Sequence, residues 1–146
     1  MKDEKWIKIY HDFIDKLKET RPTGPYNKLD IKKYYTNERV GIFGWLYSRH
    51  HIDEINISGA ILKDTPEYKT GETIIVDYKE HYLLHYIIVL AGTTAPNHGM
   101  VVPLVRSGLT FLDAVLEWDN LMVDACEKYK IEYVEDWTLK LTIPGF

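Results

Sequence analysis

The segment that most constrains this chain is residues 73–92. A short β-branched run, Thr73-Ile74-Ile75-Val76, leads without a linker into Asp77-Tyr78-Lys79-Glu80. There Asp77 offers a side-chain N-cap, and Glu80, three residues on, offers the reciprocal half of a capping box. The pattern predicts a helix to about Ala91, stopped by Gly92 in the left-handed conformation that glycine adopts at little cost. A strand therefore feeds straight into a helix. The most apolar stretch of that helix, residues 82–92, is eleven residues long and broken by His85, against about eighteen to twenty for a bilayer span. No membrane segment is expected.

Around this unit the sequence predicts an α+β protein. Residues 3–20 carry Trp6, Ile7, Tyr10, Phe13, Ile14 and Leu17 at three- and four-residue steps, an amphipathic helix ending at Arg21-Pro22. Residues 22–25 are turn chemistry, and residues 26–39 form a basic, tyrosine-rich connection with room for one short helix. Residues 40–52 mix β-branched and aromatic side chains around Gly41 and Gly44, a strand with a bend that closes on His50 and His51. Residues 53–71 and 93–108 are expected as loops, the first long and on the surface. Thr110 caps a second long helix to about Tyr129, and residues 131–143 are expected as a final strand or hairpin.

At 146 residues the chain has the size of one domain, 1–146, and at 45% hydrophobic and 27% charged it is too apolar for a disordered protein. The lone cysteine, Cys126, excludes an intrachain disulfide and is expected as a buried, inert thiol. With an N-terminus that alternates charges and offers no signal peptide, this points to a reducing cytoplasm. The formal charge of -4 divides unevenly: residues 1–50 hold eleven Lys or Arg against seven Asp or Glu, and the remainder seven against fifteen. The basic half suits a phosphate backbone. The acidic half, with Asp113, Glu117, Asp119, Asp124 and Glu127 expected on a solvated helix face, does not.

Four of the six histidines form two pairs. His81 and His85 lie one helical turn apart on one face, a spacing that chelates a metal ion or occurs on an ordinary helix. His50 and His51 close the preceding strand. His11 and His98 are expected at the surface, His98 in a loop from which it can reach toward the others.

The order strand, loop, strand, helix with His50-His51-Ile52 and Glu80-His81-x-x-x-His85 resembles the HNH endonucleases of the ββα-metal (His-Me finger) type, over about residues 46–92. The likeness is closest to small HNH-like nucleases of low-GC bacteria and their phages, in which His-His-Ile-x-Glu and Asp-Tyr-x-Glu-His also occur. Here these read Ile52-Asp53-Glu54 after the histidine doublet, and Asp77-Tyr78-Lys79-Glu80-His81. The resemblance implies an HNH module within one small domain that has an N-terminal and a C-terminal helix. It implies a DNA endonuclease of phage or plasmid type, with one divalent ion (Zn, Ni, Mn or Mg) held by His50, His81 and His85, and His51 as general base. An imidazole's ordinary pKa near 6.5 suits proton transfer at neutral pH. Adjacent strand residues point to opposite faces, so a division of roles between His50 and His51 is geometrically natural. The family's middle Asn falls at Glu72, which here braces the base, adds a carboxylate ligand, or marks a degenerate site.

Lys28, Lys32, Lys33, Arg39 and Arg49 precede the site and are expected to hold nucleic acid. The alternatives are an HNH-shaped protein without catalysis, whose acidic half contacts a basic partner protein, and a structural zinc domain, which adjacent His50 and His51 make awkward. A homodimer stays open.

Overall fold

A computed structural model describes residues 2–142. Helix α1 (Glu4–Lys18) is capped by Asp3, whose carboxylate accepts from the Lys5 amide, and it buries Trp6, Tyr10, Phe13, Ile14 and Leu17. Strand β1 (Thr23–Pro25) follows, then a single 3-10 turn over Ile31–Lys33. Strand β2 (Tyr47–His51) runs into a 3-10 turn, Ile52–Ile55. Helices α2 (Gly59–Leu62) and α3 (Glu67–Thr70) are one turn each and lead to β3 (Glu72–Asp77). Helix α4 (Tyr78–Ala91), the short α5 (Val102–Arg106) and the long α6 (Phe111–Tyr129) complete the chain, with a last 3-10 turn at Trp137–Lys140. No single helix among the described residues is long and apolar enough to cross a membrane.

The capping box forms as the sequence dictates. The Asp77 carboxylate accepts from the Glu80 amide at 2.9 Å, Glu80 Oε1 accepts from the Asp77 amide at 3.0 Å, and Gly92 closes α4 at φ 66°. Glu80 is only 3% exposed, yet its second oxygen takes Arg21 Nη2 at 2.9 Å and the Tyr129 hydroxyl at 2.7 Å. This buried carboxylate is therefore fully satisfied, and it ties α4 to α6 and to the chain just after α1. From Tyr82 to Ala91 only His85 escapes full burial, because α4 lies between α1 on one side and α6 on the other. Trp118 and Trp137 pack on its far flank, and Trp118 Nε1 donates to the Tyr82 carbonyl.

The sheet is antiparallel with order β1-β3-β2. In its register His50 faces Ile74, and His51 faces Thr73.

Several expectations are corrected. Residues 22–25 are not simply a turn: Thr23–Pro25 pair along β3 as strand β1. Residues 40–52 are not one bent strand: Gly41 and Gly44 take φ of 61° and 85°, which folds residues 39–45 into a tight loop and leaves only Tyr47–His51 extended. The expected loop 53–71 contains α2 and α3. The expected loop 93–108 contains α5, where Pro103 sits in the first turn, the one helical position that does not need its missing N–H. Residues 131–142 form no strand, because they lie over α4 and α6, where no strand edge is offered. Instead Trp137 Nε1 and the Tyr133 hydroxyl both donate to Asp119, so that acid is not simply solvated. Ile143 lies outside the described residues.

Candidate metal centre and its cleft

Strand β2, the turn that follows it and helix α4 place four side chains together. Potential ligand atoms of His50, Glu54, His81 and His85 all lie within 4.8 Å of one another, so that small side-chain shifts bring them onto one divalent ion with bonds of about 2.0–2.2 Å. His81 and His85 face β2 from successive turns of α4, with ring centroids 5.2 and 5.0 Å from that of His50. Glu54 arrives from the 3-10 turn, its Oε2 3.3 Å from His50 Nδ1 and 3.7 Å from His85 Nε2. Gly59 makes room for it, since a Cβ at that position would collide with Glu54 Oε1.

The hydrogen-bond network fixes which nitrogens are free. Tyr10, fully buried on α1, donates its one phenolic proton to the Ile52 carbonyl at 2.7 Å. Its oxygen lies 2.8 Å from His50 Nε2, so Nε2 carries the proton and donates to the phenol. That leaves the lone pair on His50 Nδ1, a buried atom with no hydrogen-bond partner, beside Glu54. His81 Nδ1 contacts Ser48 Oγ at 2.7 Å, which frees Nε2 for the centre. Outer partners of this kind hold a metal-binding imidazole in one tautomer and one orientation.

Electrostatics points the same way. Burial, reinforced by the neighbouring imidazoles, holds His50 and His85 well below the ordinary histidine range and His81 at about 4, so all three are neutral at pH 7. Burial also pushes the Glu54 carboxyl up to about 7, because its charged form is poorly solvated there. Three neutral imidazoles and one carboxylate, including an orphaned buried nitrogen, are a donor set for a divalent transition ion.

His51 is placed apart from this cluster. It shares its sheet face with Thr73, opposite to the face of His50. Its Nε2 donates to the Tyr68 carbonyl at 2.7 Å; because a carbonyl only accepts, the lone pair stays on Nδ1. The ring is held between Tyr26 and Tyr68, with centroids 4.9 and 4.6 Å away. One open cleft of about 800 Å³ is lined by His51 and Tyr68 together with Glu54, His81 and His85.

The structure thus brings His50, His81 and His85 together and sets His51, itself buried, in the lining of the same cleft. It does not bring Glu72 there. Glu72 is exposed at the start of β3, its alternation with Thr73 turns it to the face away from His51, and the brace on His51 is the Tyr68 carbonyl. Two residues join that were not assigned from the sequence. Glu54 was signalled only as the Glu of the His-His-Ile-x-Glu stretch; Tyr10, forty positions from His50, carried no signal. His98 lines the cleft as well, with its Nδ1 buried and unpartnered, while His11 is exposed on α1.

The basic residues divide. Lys28, Lys32 and Arg49 line a neighbouring cleft of about 850 Å³, and Arg39 a third beside Arg106, Ser48 and His81. Arg49 is already engaged: it donates to the Tyr26 carbonyl at 2.5 Å and lies 3.8 Å over the Tyr26 ring. Lys33 is exposed and lines none of these three clefts. Compared with protein-family models, with curated proteins and with solved structures, the chain matches none.

Proposed function

We propose that this chain is a metal-dependent endonuclease of the HNH type, hydrolysing phosphodiester bonds in DNA with His51 as general base. The observation that carries this reading is the pairing of two imidazole environments in one cleft: a cluster whose free nitrogens converge with a carboxylate, and a separate imidazole whose one nitrogen is anchored and whose other keeps its lone pair. A structural zinc site is the competing reading, since His50, His81, His85 and Glu54 alone suffice for a closed tetrahedral sphere; it is distinguished by metal binding without nicking.

His50 Nδ1, His81, His85 and Glu54 would hold the ion. Such an ion supplies a positive charge against the phosphate and the leaving oxygen. The protein's own part is proton movement. His51 Nδ1 takes a proton from water as that oxygen attacks phosphorus and the P–O bond to the leaving oxygen breaks; that oxygen gains a proton from solvent. The Tyr68 carbonyl, accepting from Nε2, holds the ring in register. The stacked Tyr26 and Tyr68 rings restrict its rotation.

The test is nicking of supercoiled plasmid with Mg, Mn, Ni or Zn ions, beside His51→Ala and a calorimetric metal titration. Loss of about 10²–10⁴-fold in nicking with metal affinity retained is expected, since a base and a ligand contribute separable terms. Equal loss of both makes His51 a ligand. Metal binding without nicking by the unaltered chain, under any of the ions, leaves the non-catalytic alternative.

A further inference from the structure

Of four tryptophans, Trp6, Trp118 and Trp137 are buried, whereas Trp45 is 52% exposed. An indole half in water forgoes burial, and here the loop that exposes it is ordered. The loop that carries it is zipped on both sides. The Leu46 amide donates to the Glu38 carbonyl at 2.8 Å and the Val40 amide to the Gly44 carbonyl at 2.7 Å, with Arg39 and Trp45 paired across the bridge. Asn37 pins the base of the loop to both the amide and the carbonyl of Tyr47, at 2.9 and 3.0 Å. The Arg39 guanidinium lies 5.1 Å from the indole centroid.

Position decides what such a platform is for. Trp45 is shared by all three clefts: the one with Lys28 and Lys32, the one with Arg39 and Arg106, and the one that holds the histidine centre. A flat aromatic face thus stands at a junction between two sets of cations, next to the candidate site for phosphodiester cleavage. The ligand that matches has a π-face with negative charge on either side of it, which is a nucleotide within a strand. Inside a duplex that face is covered by neighbouring base pairs, so only an unpaired base can reach the ring.

We propose that Trp45 is the stacking platform for an unpaired base, and that the chain acts on single-stranded or locally unpaired nucleic acid. Flanking phosphates lie toward Arg39 and Arg106 on one side and Lys28 and Lys32 on the other. This deepens the nuclease reading of the same cleft and rests on it.

The experiment is done on the full chain in EDTA, so that it is independent of cleavage. A fluorescently labelled oligodeoxythymidine and a duplex of equal length are titrated by anisotropy, and unlabelled oligonucleotide by tryptophan emission, with Trp45→Ala as the blank for the three buried indoles. Single-strand binding with quenching is expected in the unaltered chain, with about tenfold or greater loss of affinity in Trp45→Ala and recovery in Trp45→Phe, which keeps a π-face. Duplex binding should be weaker and indifferent to both substitutions. Equal single-strand affinity in the unaltered chain and Trp45→Ala overturns the proposal, as does preferred duplex binding or no binding of either probe. Plasmid nicking together with Trp45-independent binding removes the platform and leaves the nuclease; Trp45-dependent binding without nicking does the reverse.

Discussion

Tyr10→Phe removes one oxygen from a helix that the sequence offers no reason to connect with the histidines. In the structure that oxygen does two things in a dry environment: it donates to the Ile52 carbonyl at 2.7 Å and receives His50 Nε2–H at 2.8 Å. Phenylalanine fits the same space, because only the hydroxyl is lost from a side chain with no exposure. His50 Nε2–H is then stranded, while the Ile52 carbonyl keeps only the Ile55 amide of its own 3-10 turn, so a net loss of about 1–3 kcal/mol in unfolding free energy is expected. The second effect is on the tautomer. With no acceptor at Nε2, His50 is free to place its proton on Nδ1 toward Glu54, 3.3 Å away, and so block the nitrogen that would bind the ion. Loss of an outer partner of this kind costs about 10–100-fold in metal affinity. The control is Tyr86→Phe. Its buried hydroxyl also makes two hydrogen bonds, accepting from the Val134 amide at 2.8 Å and donating to the Glu132 carbonyl at 2.9 Å, but neither partner is near the centre. Urea unfolding of both variants, with calorimetric titration of Zn and Ni ions under conditions where both stay folded, separates stability from binding. Unaltered metal affinity in Tyr10→Phe, or an equal loss in Tyr86→Phe, would refute the assignment of Nδ1 as the ligand.

Replacing Lys28 and Lys32 by Ala should flatten the dependence of log affinity on log salt, by about 0.9 per phosphate contact on duplex and about 0.7 on single strands, whereas Lys33→Ala should change it less; a binding titration across salt concentrations decides. Arg21→Met leaves the Glu80 carboxylate buried with Tyr129 and a backbone amide as its remaining partners, and should cost about 3 kcal/mol in urea unfolding, partly recovered by adding Glu80→Gln, which removes the uncompensated charge. Burial pushes the Cys126 thiol up to about 11, so at pH 8 only about 0.1% is thiolate. Iodoacetamide, followed by mass spectrometry, should therefore label the native chain at least about a hundredfold more slowly than the urea-unfolded chain, with native labelling rising as pH climbs toward 11. Rapid native labelling at pH 8 would mean that α6 does not pack as described.

The limits of α4 were legible in the sequence, because they are written in contacts that span four residues or fewer: Asp77 with Glu80 at one end, Gly92 at the other. The same holds for α1 and for α6 from Thr110, and the one-turn separation of His81 and His85 follows from the helix itself. Strand and loop boundaries were less legible. A strand exists only where a partner edge is free, which residues 131–142 lack, and Pro103 reads as a helix breaker or a helix starter depending on its position. The site depended most on tertiary structure. Register alone puts Thr73, rather than Glu72, on the face of His51, and a residue pattern that predicts a strand does not contain its register. Glu54 reaches His50 because a 3-10 turn follows β2 and because Gly59, five residues on, leaves space for a carboxylate. Tyr10 and the Tyr68 carbonyl select the tautomers of two adjacent histidines from positions 40 and 17 residues away. Those distances are closed by packing α1 against α4 and by folding residues 53–71 back along β2. Local propensity carries no information about a hydrogen bond whose partner arrives only when the core has formed.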